Sequence, residues 1–209
     1  MTGAVMVRLK PDTTAAIAEV RLKADTTAAI AEVRLKADTT TLRQATADDA
    51  PAIHALIAGH LAEGRLLPRQ LGEISVHAHR FVVAVADTGS VAGRVVGCVD
   101  VAPLSRTVAE VRSLVVSEDV RSSGIGRRLI DTAVARAGRA GFERLCAFTH
   151  APSYFVQLGF SLVPHEWLPE KIQSDCSACA LFRRCRQYAV VRPLARAVHG
   201  CVPLASLHG

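Results

Sequence analysis

From Thr41 onward the apolar residues fall into short runs whose spacing alternates between strand-like and helical periods. Thr41–Gln44 predicts a short strand. Thr46 and Asp49 stand at capping-box spacing, and Ile53, Leu56, Ile57 and Leu61 then form one helical stripe. A second helix is predicted after Pro68, through Leu71 and Ile74. Phe81–Ala86 and Val95–Val101 are β-branched runs on either side of a polar turn with Gly89 and Gly93, which predicts two neighbouring strands. Val108–Val116 predicts a long third strand. After Gly126, the residues Leu129, Ile130, Ala133, Val134 and Ala137 recur at helical spacing until Gly141 ends the helix. Leu145–Phe148 predicts another strand, Pro152–Leu158 a short helix, and Gly159, Phe160, Ser161, Leu162 and Val163 a return strand. The order is β-α-α-β-β-β-α-β-α-β, an α/β pattern. No pattern is legible after Pro193, so 193–209 is expected to be a loose tail.

Ahead of this unit, residues 1–40 are a tandem repeat with a period of 13, reading VRLKPDTTAAIAE, VRLKADTTAAIAE and VRLKADTT. That period suits neither regular element. Successive copies rotate by about 140° around a helix, so no continuous stripe forms. In a strand the odd period throws each copy onto the opposite face. A disordered tail is expected, with a partner-binding arm as the alternative. The chain divides accordingly into 1–40, a single domain over 41–192, and 193–209.

The chemistry concentrates where Val108–Val116 gives way to a helix. There the chain reads Leu114-Val115-Val116, four residues, then Arg121-Ser122-Ser123-Gly124-Ile125-Gly126-Arg127. Unsatisfied N–H groups at a helix start, with the partial positive charge of the helix end, suit a pyrophosphate. Gly124 and Gly126 permit close approach of the main chain, and Arg121 offers a fork of donors. The pattern is neither the Walker loop nor the Rossmann fingerprint, since Leu129 stands where the latter needs a small residue.

Composition narrows the partners. Of the residues, 50% are hydrophobic and 4% aromatic. No apolar run approaches the roughly 18 residues that cross a bilayer, and no signal peptide is legible, so a cytoplasmic protein without membrane contact is expected. The net charge of +6 comes from scattered arginines interrupted by acids, with no dense basic block. That argues against nucleic acid and suits an anionic cofactor and substrate. Three of the four lysines, Lys10, Lys23 and Lys36, lie in the repeat. Six cysteines without an export signal are expected to be reduced thiols. Cys98 and Cys146 sit in apolar runs and predict core positions. Cys176, Cys179 and Cys185 cluster but lack a fourth ligand, His165 being eleven residues back. Free thiols or a packed turn, a zinc site and a redox pair all remain open there, and no metal is required for the chemistry.

The Leu-x-Val, Arg-x-x-Gly-x-Gly pattern resembles the acetyl-CoA signature of the GCN5-related N-acetyltransferases (GNAT). The element order matches their α/β fold, a mixed twisted sheet flanked by helices on both faces. Four further segments are similar to the acetyltransferase domain of N-acetylglutamate synthases, above all their short single-domain form. They are Gly64-Arg65-Leu66-Leu67-Pro68-Arg69, Val96-Gly97-Cys98-Val99, Ala109–Val116, and Tyr154-Phe155 before Gly159-Phe160. The resemblance covers roughly 41–191. It implies transfer of acetyl from acetyl-CoA to the α-amino group of glutamate, at the start of arginine biosynthesis. Another amino acid, a small amine or a protein N-terminus is the alternative acceptor, and a non-catalytic acetyl-CoA-binding module is the rival of another class. A homodimer is a further expectation.

Acetyl transfer to an amine needs a deprotonated amine, a polarised thioester carbonyl and a proton for the released thiolate. Glu110, four residues before Leu114, is the candidate general base, against the plainer reading of an ion pair with Arg112. Main-chain N–H groups at Leu114 and Val115 are expected to polarise the thioester oxygen, and Val116 to hold the pantetheine arm by β-like bonds. The resemblance places many relatives' acidic tyrosine at the position of Phe155, which is expected to pack against the cofactor. Tyr154 is one residue earlier and about 100° around the helix. Arg43, Arg69 and Arg112 are the candidates to hold substrate carboxylates.

Overall fold

Seven strands form one sheet in the computed structural model of the chain, which describes residues 40–64, 66–87, 92–179 and 182–194. They are β1 (Thr40–Gln44), β2 (Phe81–Ala86), β3 (Val95–Pro103), β4 (Val108–Val116), β5 (Arg144–Thr149), β6 (Ser161–Val163) and β7 (Tyr188–Pro193), in the spatial order β1-β2-β3-β4-β5-β7-β6. β1 to β4 are antiparallel neighbours, whereas β4 and β5 are parallel. The parallel pair requires a crossover, which is the amphipathic helix α3 (Ile125–Arg139). Helices α1 (Ala50–Gly59) and α2 (Leu71–Val76) connect β1 to β2, and α4 (Pro152–Gln157) connects β5 to β6.

β2 and β3 are apolar on both faces because both faces are covered. On one side Val82, Ala84, Val96, Val99 and Val111 pack with Ile125, Leu129, Ile130, Ala133 and Ala137 of α3. On the other, Phe81, Val83 and Cys98 meet Ile53 and Ile57 of α1 and Ile74 of α2. A third cluster, Val108, Cys146, Leu168 and Ala189, extends that second face toward β5 and β7. A helical turn α5 (Pro169–Lys171), running into a π-helical turn (Ile172–Cys176), follows Leu168.

The structure corrects the sequence reading in three places. β7 has no counterpart in the predicted elements; it inserts between β5 and β6 and pairs antiparallel with both, so the patterned region runs through Pro193. Thr40 is buried and pairs with Ala86, so it belongs to β1 rather than to the repeat. Leu61 falls in a 3-10 turn (Leu61–Glu63) after α1 has ended. Residues 1–39 and 195–209 lie outside the described residues.

Candidate active site

β4 and β5 pair only from Val108↔Arg144 to Val111↔Ala147. Beyond that β4 continues to Val116 against β3, while β5 continues against β7. A crevice therefore opens at the carboxyl ends of the two parallel strands, the usual location for a ligand in an open sheet. At the same level β4 bulges. Arg112 pairs with Asp100 and Val115 with Cys98, leaving Ser113 and Leu114 without partners in the register. Ser113 has a φ of 49°, and its carbonyl accepts from Cys98 Sγ at 3.4 Å. The extra residue inverts the facing of the strand. Ala109 and Val111 face α3 before it, and Leu114 and Val116 do so after it. The Val115 side chain is buried under α1 and α2, so only its main chain can meet a ligand in the crevice.

The loop from β4 to α3 makes a 3-10 turn (Glu118–Val120) and then passes through left-handed residues Ser122 (φ 63°) and Gly124 (φ 86°). Gly124 is the N-cap of α3, and Ser123 Oγ donates to the Val120 carbonyl at 2.6 Å. The first N–H groups of α3, at Ile125, Gly126 and Arg127, thus have no helical acceptors. The Ile125 side chain itself is in the core. Arg127 reaches the Gln157 carbonyl at 3.4 Å. Arg121 already has partners: its Nε donates to the Val116 carbonyl at 3.2 Å and its Nη2 pairs with Glu63. Gly126 answers to a protein group before any ligand, since a Cβ there would stand 2.7 Å from Tyr154 Oη. Burial raises the Tyr154 pKa; the nearby Arg127 works against that rise.

On the opposite face of β4, Glu110 is 2% exposed. Arg112 Nε donates to its Oε2, and Lys171 Nζ lies 2.8 Å from Oε2 and 2.7 Å from Oε1. Asp175 closes the network, accepting from Lys171 at 2.7 Å and pairing with Arg112. Burial opposes the charge of Arg112, but Glu110 and Asp175 outweigh it and raise its pKa. Burial likewise works against ionisation of Asp175, yet Lys171 and Arg112 bring its pKa down. The plainer reading of Glu110, an ion pair with Arg112, is therefore present, and both its oxygens are engaged.

Beside this network, across the β4 bulge, lies a second one. Asp100 is fully buried and bonded by Arg69 and Arg80 at 3.3–3.4 Å. Arg69 also donates to Ser113 Oγ at 3.2 Å and pairs with Glu73 at 2.7 Å. Arg69 and Arg112 thus meet the bulge from either side. Arg43 does not join them. It sits on the edge strand β1, with β2 and β3 between it and β4, and donates from both terminal guanidinium nitrogens to Asp49 at 2.7 Å. Phe155 is buried in the core, edge-on to Phe160 and Tyr154. The residue missed by sequence reasoning is Lys171. The signal was there, because it is the one lysine outside the repeat in an otherwise arginine-based chain.

Cys98 and Cys146 are core thiols, each pushed up to about 12 by burial. Cys176 is also raised by burial, with Cys185 and Cys179 near it. Among the described residues, no group of three metal-ligating atoms includes these cysteines. No helix among the described residues is long and apolar enough to cross a membrane.

Residues 77–162 match the acetyltransferase (GNAT) domain family. An uncharacterised N-acetyltransferase of Chlorobaculum tepidum is 33% identical over 153 residues, which are 73% of this chain and 96% of that protein. The amino-acid acetyltransferase of Ralstonia nicotianae is 33% identical over 131 residues, 62% of this chain but only 28% of that enzyme. Among solved structures, N-acetylglutamate synthase from Neisseria gonorrhoeae, complexed with coenzyme A and N-acetyl-glutamate, superposes with a TM-score of 0.66 at 27% identity. The match covers 75% of this chain and 35% of that one.

Proposed function

The chain belongs to the GNAT acetyltransferase family, and on that premise we propose that it transfers the acetyl group of acetyl-CoA to the α-amino group of glutamate. The observation that carries the acceptor is the pair of cations, Arg112 and Lys171, seated on Glu110 beside the β4 bulge. Arg69 adds a third on the other side of the bulge. The names of the Ralstonia and Neisseria proteins support the same reading, although this chain spans about a third or less of each.

In this proposal the N-terminus of α3, with Arg121, Ser122, Ser123, Gly124, Gly126 and Arg127, holds the pyrophosphate. Val116 aligns the pantetheine arm along β4. The main-chain N–H at Leu114, displaced from the ladder by the bulge, polarises the thioester carbonyl. A substrate carboxylate takes Arg112 and Lys171 as partners, which releases Glu110 to accept the ammonium proton directly or through water. Tyr154, whose hydroxyl lies beside Gly126 at the start of α3, would return a proton to the thiolate.

A second reading has its own observation. Arg69, Arg80, Arg112 and Lys171 are matched by Glu73, Asp100, Glu110 and Asp175. A site so neutralised accommodates a monocarboxylate amino acid, such as glutamine, without displacing a second internal acid. Thiol release measured over an amino-acid panel separates the two. Glutamate as the best acceptor is the expected result; turnover with amines alone refutes both. Glu110→Gln is expected to slow turnover by roughly a hundredfold or more. Tight acetyl-CoA binding with no acceptor and no effect of Glu110→Gln would identify a binding module.

A further inference from the structure

His60, a residue only 8% exposed, caps the C-terminal end of α1. Its Nδ1 lies 2.7 Å from the Leu56 carbonyl, one turn back. A carbonyl only accepts, so Nδ1 carries the hydrogen, which leaves Nε2 as the atom that can offer a lone pair to a ligand. Nε2 is buried and has no hydrogen-bond partner. A ring nitrogen of His60 and carboxylate oxygens of Glu63, in the 3-10 turn after α1, and Glu118, in the turn after β4, all lie within 4.8 Å of one another. A nitrogen lone pair and two carboxylates gathered in that space form a donor set that a cation would join.

We propose that His60, Glu63 and Glu118 form a binding site for a divalent transition-metal ion of the zinc class. One imidazole nitrogen and two carboxylates are ligands such ions accept, and three protein ligands leave a position for water. The Leu56 carbonyl supplies the outer-shell contact that fixes the tautomer of a ligating histidine. The glutamates are exposed, so their side chains can draw in to ligand distance while the buried histidine stays fixed.

The site is wired to the loop that precedes α3. Glu63 is also the ion-pair partner of Arg121, and Glu118 lies three residues before it. A metal ion that takes a Glu63 oxygen weakens its hold on Arg121 and frees that guanidinium for a cofactor phosphate. This second consequence rests on the acetyl-CoA reading above; the metal site itself does not.

The test begins with chelator-treated full-length protein titrated with cobalt and then with zinc, no CoA present. One ion per chain is expected, with cobalt absorption free of thiolate charge-transfer bands. Glu63→Gln and Glu118→Gln, both at exposed positions, are expected to weaken binding by roughly tenfold or more, and His60→Gln likewise. A parallel protein with serine at 176, 179, 185 and 201 is expected to bind equally well. Absence of binding, binding indifferent to both glutamine variants, or binding that disappears with the cysteines overturns the proposal. Zinc is further expected to tighten CoA binding about fivefold in the native chain and not in Glu63→Gln. If zinc binds as described while CoA does not bind at all, the metal site stands and the acetyl-transfer reading fails.

Discussion

Gly126 and Tyr154 offer a test that isolates a single atom. An alanine at 126 would bring its Cβ to 2.7 Å from Tyr154 Oη but leave it 3.7 Å from Cζ. The first distance is an overlap and the second an ordinary contact, so the hydroxyl alone makes the conflict. The tyrosine ring stands edge-on to Phe155 at 5.7 Å between centroids, which limits its retreat. Overpacking of this kind costs about 1–3 kcal/mol. Replacing a helical glycine by alanine returns about 0.5–1 kcal/mol. Gly126→Ala is therefore expected to destabilise the native chain by about 0–2.5 kcal/mol. In a Tyr154→Phe background only the helix gain remains, and the same change is expected to stabilise by about 0.5–1 kcal/mol. The coupling across the cycle is about 1–3 kcal/mol, readable by urea unfolding of the four proteins followed by circular dichroism. In thermal melts each kcal/mol corresponds to roughly 2–4 °C. If alanine has the same effect in both backgrounds within about 0.5 kcal/mol, Tyr154 does not lie over the α3 N-terminus and the packing argument is refuted.

Arg121→Ala is expected to weaken CoA binding roughly ten- to 150-fold by calorimetry, and comparison with dephospho-CoA shows whether the pyrophosphate or the 3′-phosphate is its partner. Unchanged affinity would remove the loop as the phosphate site. The Asp49 carboxyl is held down to about 2, first by its hydrogen bonds from Arg43, with burial opposing and Thr46 assisting. A depressed carboxylate stabilises the fold above its unfolded pKa of about 4 and loses that contribution as pH falls through the folded value. Asp49→Asn is accordingly expected to melt below the parent at neutral pH, with the gap closing between about pH 4 and 2; a gap constant over that range contradicts the pairing. Deletion of 1–39 is expected to leave melting temperature and turnover intact, because the repeat has no packable face. Extending the deletion through Thr40 removes the carbonyl that Arg128 Nη2 meets at 2.8 Å, and is expected to lower the melting temperature.

Elements whose burial is local were legible from residue order alone. The apolar stripe of α3 was legible from its 3.6-residue period, the two covered strands β2 and β3 as continuous β-branched runs, and the glycine loop between β4 and α3 from its residue types. Residue types also marked Glu110 and Arg112, two apart on one strand and so on one face. Tertiary structure decided what depends on where the chain returns. β7 is a short run, Ala189, Val190 and Val191 between Tyr188 and Arg192, and it gains its identity only from partners on β5 and β6. Lys171 reaches Glu110 across 61 residues, and Arg121 reaches Glu63 across 58. Arg43, equal to Arg69 and Arg112 as a candidate, is taken up by a carboxylate six residues away, while the other two are carried to the bulge. His60, Glu63 and Glu118 belong to turns with no shared pattern. A local period fixes which side of an element is wet or dry, whereas a charged or ligating cluster depends on contacts between distant segments, and nothing in their local spacing encodes it.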